Sequence, residues 1–128
     1  METEQLEVDV PTARKLLQEG AILLDIREWE EVEMMTFDVE EMIWLPQSLL
    51  SEQYSGIPVD KTVILGCHSG RRSLEATLFL KNRGFQTVYS LQGGISDWMS
   101  FDYPVKWDNN IEEDVLHLHG MDEVTENE

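Results

Sequence analysis

The chain has 128 residues, one cysteine and a formal net charge of −17. That length suits one domain with a sizeable core, and the charge argues against nucleic acid and anionic membranes as partners, since both need a positive face. No run of about 18 apolar residues offers a membrane-spanning helix. Met1 to Gln5 shows no secretory leader, and a lone cysteine excludes an internal disulfide framework, so the expected compartment is the cytoplasm.

In chain order, Leu6-Glu7-Val8 alternates and predicts a short edge strand. Asp9 is placed to cap a helix from Val10 to Glu19, with Pro11 tolerated in its first turn, Ala13, Leu16 and Leu17 on its apolar face, and Gly20 ending it. Ala21 to Ile26 reads as a buried strand that leaves Asp25 at its carboxyl end, where open α/β sheets keep their sites. Asp25 and Arg27 are expected to pair with each other or to cap neighbouring backbone, holding a loop in place. Glu28 to Met35 predicts a short acidic helix, with Trp29 and Val32 used for packing. Met42 to Leu45 is a third strand closed by Pro46, Ser48 to Tyr54 a helix, and Gly56 to Asp60 a turn region.

The informative stretch comes next. Thr62 to Gly66 is a β-branched, apolar run typical of a buried strand in a parallel sheet, and Ser73 to Arg83 carries helical periodicity, with Leu74, Leu78 and Lys81 along one stripe and Gly84 as its stop. Cys67-His68-Ser69-Gly70-Arg71-Arg72 is therefore a strand-to-helix loop whose amides face the positive end of a helix dipole. A lone cysteine is often only a buried, inert thiol. Here Gly70 lets backbone approach an anion, and Arg71 and Arg72 supply positive charge, so Cys67 is a candidate thiolate nucleophile. His68, next to the nucleophile on a curled loop, is expected to point outward rather than act as a base, and Ser69 and Ser73 are expected to stabilise the loop.

Thr87 to Leu91 predicts a fifth strand, Gly93-Gly94 a tight turn, and Ile95 to Phe101 a short helix that packs Trp98 inward. Residues 1–107 are read as one domain, and Asp108 to Glu128, which holds eight acidic residues and no Lys or Arg, as an acidic tail, partly disordered. Ile111, Val115, Leu116 and Leu118 offer its first half an apolar stripe. His117 and His119 without a cysteine cluster are poor evidence for a metal, and no metal or cofactor is expected.

Cys67-x-x-Gly70-x-Arg72-Ser73 resembles the active-site loop of the rhodanese family of sulfurtransferases. Leu24-Asp25-Ile26-Arg27-Glu28 is similar to the family's Asp-x-Arg-Glu segment, and Leu91-Gln92-Gly93-Gly94-Ile95-Ser96-Asp97-Trp98 to its Gly-Gly-Ile-x-x-Trp segment. The three occur in the family's order across Leu6 to Val105. The resemblance implies a three-layer α/β fold, a five-stranded mainly parallel sheet with helices on both faces. It also implies transfer of sulfane sulfur from a small anionic donor such as thiosulfate to cyanide, a thiol or a protein acceptor, through a persulfide on Cys67. The loop from His68 to Ser73 would hold the terminal sulfur and the leaving anion, Arg71 or Arg72 would bind the donor's oxyanion, and Asp25 and Arg27 would support the loop. Phe37 to Met42 departs from the family's Gly-His-Ile-x-Gly-Ala-like stretch, which puts the pocket wall on that side in question.

Two other readings compete. A cysteine phosphatase or arsenate reductase needs an arginine after five intervening residues, where this chain has Ser73. A sulfur carrier or interaction module with little turnover is the other, suggested by the acidic tail and the altered stretch. The physiological donor and acceptor and the oligomeric state are not legible.

Overall fold

Successive side chains on a strand point to opposite faces, so runs such as Ile22-Leu23-Leu24 and Val63-Ile64-Leu65 require a sheet covered on both sides. The computed structural model, which describes residues 5–107, has that sheet. Its strands are β1 (Glu7–Val8), β2 (Ile22–Asp25), β3 (Met35–Phe37), β4 (Met42–Trp44), β5 (Val63–Gly66), β6 (Val88–Leu91) and β7 (Val105–Trp107). Five of them form one parallel sheet in the order β1-β6-β5-β2-β4. The expected edge strand, the buried central strands and the five-stranded parallel architecture are all present.

Two cores flank the sheet. Leu23 and Ile64 pack with Val10 and Ala13 of α1 (Val10–Gln18) and with Ile95 and Trp98 of α5 (Gly94–Ser100). Leu24, Val63 and Leu65 face the other way, onto Leu50 of α3 (Gln47–Gln53) and Ala76 and Leu80 of α4 (Arg71–Lys81). Full burial of each Val, Leu or Ile side chain among these is worth roughly 1.5–3 kcal/mol. At the rim, α2 (Trp29–Val32) buries Val32 against Trp44, and Trp29 leans on the Trp44 ring at 5.5 Å between centroids. Asp9 caps α1, accepting a hydrogen bond from the Thr12 amide at 3.0 Å. Trp98 is fully buried, edge-on to Phe37, and its indole N–H donates to the Pro104 carbonyl at 2.8 Å.

Three expectations need correction. The helix expected over Glu28 to Met35 stops at Val32, because Met35–Phe37 pairs antiparallel with Val105–Trp107 in a second, two-stranded sheet. That long-range pairing overrides local helical preference. The helix after the cysteine starts at Arg71 rather than Ser73, so both arginines belong to its first turn. Its buried stripe is Ser73, Ala76, Thr77 and Leu80, while Leu78 is 44% exposed. The helix is rotated that way because Ser73 is seated beneath the cysteine loop. The acidic stretch after residue 107, with its apolar stripe and His117 and His119, lies outside the described residues.

Candidate active site

The chain steps from β2 outward to β4 on one side and from β5 outward to β6 on the other, so the sheet order reverses between β2 and β5. Crevices at the carboxyl ends of strands at such a reversal are where open α/β sheets bind ligands. Here Asp25 pairs with Gly66 in register, and the Ile26 amide donates to the Gly66 carbonyl at 3.0 Å. The Asp25-Ile26-Arg27 segment and the Cys67–Gly70 loop therefore leave the sheet side by side.

Cys67 is buried, and its sulfur sits in the curl of the loop. The Gly70 amide donates to Sγ at 3.1 Å and the Ser73 amide at 3.3 Å. The thiol lies 3.4 Å from the Ser73 hydroxyl, which also bonds the Gly70 carbonyl at 3.3 Å and Ser90 Oγ at 2.7 Å. Gly70 caps the 11-residue helix α4 with φ of 102°, a conformation that L side chains rarely adopt. A Cβ there would also press on the Gly93 amide nitrogen at 2.9 Å. His68 and Ser69 are exposed at the crest of the loop, as expected for His68.

A second clamp holds the loop from behind. At the start of α5, the Ile95 amide donates to the Cys67 carbonyl at 2.8 Å and the Ser96 amide to the His68 carbonyl at 3.1 Å. Gly94 lets them come that close: its φ is +60°, and a Cβ there would run into the Cys67 and His68 carbonyls. Sequence reasoning took Gly93-Gly94 only as a turn and missed this role. The glycine pair at the mouth of a strand was the signal available.

The three arginines are disposed differently. Arg27 is buried on Asp25, with Nε and Nη2 donating to the two carboxylate oxygens at 3.0 and 2.9 Å, its own amide to Oδ1 at 3.0 Å, and Nη2 to the Met35 carbonyl at 2.8 Å. Thr36 closes on Asp25 as well, so the pair braces the turn after β2. Arg72 donates from Nη1 and Nη2 to Glu31 on α2, at 2.8 and 2.7 Å. That contact holds the Glu31 carboxyl below its ordinary range and raises the guanidinium of Arg72 above its own. Arg71 is exposed and has no ion-pair partner among the described residues. Glu31 was not singled out from the sequence. Its spacing four residues beyond Arg27, on an acidic turn, was the only hint.

Beside the loop lies a hollow of about 290 Å³ lined by Arg27, Glu31, Met34, Met35, His68, Ile95 and Trp107. Its outer wall is built by the β3–β7 pairing, which sets Met35 opposite Trp107. The stretch from Phe37 to Met42 is not part of that wall. Phe37 is buried against Trp98 and Arg27, and Asp38 pairs with Lys106 at 3.7 Å. Among the described residues, no group of three or more His, Cys, Asp or Glu side chains is placed to hold a metal ion, and no helix is long and apolar enough to cross a membrane.

Fold and site together define an α/β domain that presents one buried thiol to backbone amides at the start of a helix. The chain belongs to the rhodanese-like domain family, whose model matches residues 9–101. It is 36% identical over 117 residues to the rhodanese-like domain-containing protein 17 of Arabidopsis thaliana, a match covering 82% of this chain and 75% of that protein. It is 32% identical over 115 residues to thiosulfate sulfurtransferase 18 of the same plant, covering 80% and 84% respectively. A rhodanese-related protein from Thermoplasma volcanium shares the fold with a TM-score of 0.69 at 23% identity, over 79% of this chain and 97% of that one.

Proposed function

We propose that this protein is a sulfurtransferase that carries sulfane sulfur on Cys67, taking it from a donor such as thiosulfate and passing it to a thiophilic acceptor. The observation that carries the reading is the seat of Sγ, which receives the Gly70 and Ser73 amides at 3.1 and 3.3 Å. Preorganised donors of this kind stabilise negative charge on sulfur at no reorganisation cost during reaction. The thiolate is the nucleophilic form of cysteine. In the loading step Cys67 Sγ bonds to the outer sulfur of thiosulfate as the donor's S–S bond breaks, and sulfite leaves with the bonding pair. Arg71 and Arg72 begin α4, and their amides have no intrahelical partner, which leaves them for the outer sulfur of the resulting persulfide. Arg71 is the side chain available to the donor's oxyanion, with His68 and Ser69 on the exposed crest. Asp25, Arg27, Arg72 and Ser73 hold the frame. An acceptor then attacks the outer sulfur and returns Cys67 as thiolate, with cyanide yielding thiocyanate. The scheme needs no cofactor, and its kinetics are double displacement.

The test is direct. Thiosulfate should add one sulfur atom to the intact protein by mass, and Cys67→Ser should lose both that adduct and turnover. Turnover persisting in Cys67→Ser overturns the assignment. A second reading, a sulfur carrier with little turnover, draws on the engagement of Arg72 by Glu31 at the donor's approach. It predicts loading of Cys67 without sustained thiocyanate release.

A further inference from the structure

Charge at the mouth of the site is largely consumed within the protein. Of the arginines flanking the thiol loop, Arg27 is closed onto Asp25 and Arg72 onto Glu31, each through two guanidinium nitrogens. The Asp25 pair is buried and woven into the turn after β2. The Glu31 pair differs on every count. Its partners come from separate elements, α2 and α4, and their side chains are 33% and 34% exposed. Glu31 also lines the same hollow as His68. An anion arriving at Cys67 thus meets one arginine without a partner among the described residues, Arg71, and a carboxylate on the rim, in a chain whose formal net charge is −17. Arg27 also lines the hollow, its guanidinium held by Asp25, and the remaining wall is Met34, Met35, Ile95 and Trp107, which suit an organic substituent and offer a second negative charge no further cation.

We propose that Glu31 is a specificity-determining residue of the loading step: by occupying Arg72 it turns the site away from dianionic inorganic donors and toward singly charged organic thiosulfonates. The inference rests on the sulfur-transfer reading above. Both donor classes load Cys67 by the same balanced step. A bond forms between Sγ and the donor's terminal sulfur, and the bond from that sulfur to the sulfonyl sulfur breaks. The pair departs on sulfite from thiosulfate, or on sulfinate from a thiosulfonate. The two donors differ by one negative charge, so the ratio of their kcat/KM values reads charge selectivity apart from chemistry.

The experiment uses the full chain as wild type, Glu31→Gln, Glu31→Asp and the double variant Glu31→Gln/Arg72→Gln, with thiosulfate and methanethiosulfonate as donors and cyanide as acceptor. Glutamine keeps the acceptor for the Glu28 amide, which reaches Glu31 Oε2 at 3.2 Å, so the cap of α2 survives. In Glu31→Gln the thiosulfate-to-methanethiosulfonate ratio should rise about tenfold at low salt, the lower end of what a released charged contact is worth, and less at about 0.15 M salt. Glu31→Asp keeps the charge and should keep the ratio near wild type. The double variant should return it there, because the gain acts through Arg72. A purely structural role would lower both donors together and leave the ratio unmoved, and that result overturns the inference. A rise that persists in the double variant overturns it too. If both donors load Cys67 in the wild type while the ratio never moves, selectivity alone is refuted. If neither adds sulfur, the transfer reading falls and this inference falls with it.

Discussion

Arg27 and Arg72 make the same two-pronged contact with a carboxylate in two different media. Asp25–Arg27 is sealed, with side chains 0% and 4% exposed, and further hydrogen bonds tie it to the Arg27 amide, the Met35 carbonyl and Thr36. Glu31–Arg72 lies a third open to solvent and joins elements 41 residues apart. The sealed pair cannot be broken without stranding a charge in the interior, so it serves as a geometric fixture beside Cys67. The open pair lets water replace either partner, so it contributes little to stability and can instead set the charge an incoming anion sees. The pair with the shorter hydrogen bonds is therefore not the one that contributes more to stability.

Substitutions can break this contrast at several depths. The largest effect should come from the seat both pairs surround. Gly94→Ala forces a Cβ into the Cys67 and His68 carbonyls and displaces the sulfur. Misplacement by about 1 Å costs on the order of 100-fold in rate, so kcat/KM for any donor should fall by at least that factor. Next, Asp25→Ala leaves the Arg27 guanidinium buried with only the Met35 carbonyl and the Phe37 ring. Urea unfolding should show a loss of about 3–5 kcal/mol, nearly independent of salt. Arg72→Ala, by contrast, should cost at most about 1 kcal/mol and lose part of that difference at high salt. If the two variants destabilise equally, the distinction between fixture and tuner fails.

The smallest effect is a pH dependence. Arg72 lowers the folded-state value of Glu31, with burial opposing and the Glu28 amide assisting. A depressed carboxyl value means that the pair's contribution is complete above the ordinary value of 4.5 and is lost as pH falls through the lower folded value. Stability of the wild type should therefore exceed that of Glu31→Gln at neutral pH, with the gap closing only below pH 4.5. Unfolding midpoints of the two proteins across the acid range check the sign. A gap that widens on acidification contradicts it.

The parallel sheet and the loop that carries the thiol were legible in the residue pattern alone. Leu23-Leu24 and Val63-Ile64-Leu65 alternate between two cores, and burial on both faces demands consecutive apolar residues that any local reading detects. Cys67 was legible for the same reason: a strand, a glycine and a helix with arginines in its first turn are contiguous, so strand end, curl and helix start follow from neighbours within a few residues. Tertiary structure alone decided what surrounds that loop. Glu31 reaches Arg72 across 41 residues, Gly94 lets the Ile95 amide reach the Cys67 carbonyl, and Met35 faces Trp107 through the β3–β7 pairing that overrode a helical expectation. Nothing in the local pattern of Glu31, Gly94 or Met35 encodes these partners. Strand order and helix rotation bring them together, and both are set by the burial of the whole chain rather than by the periodicity of any one segment.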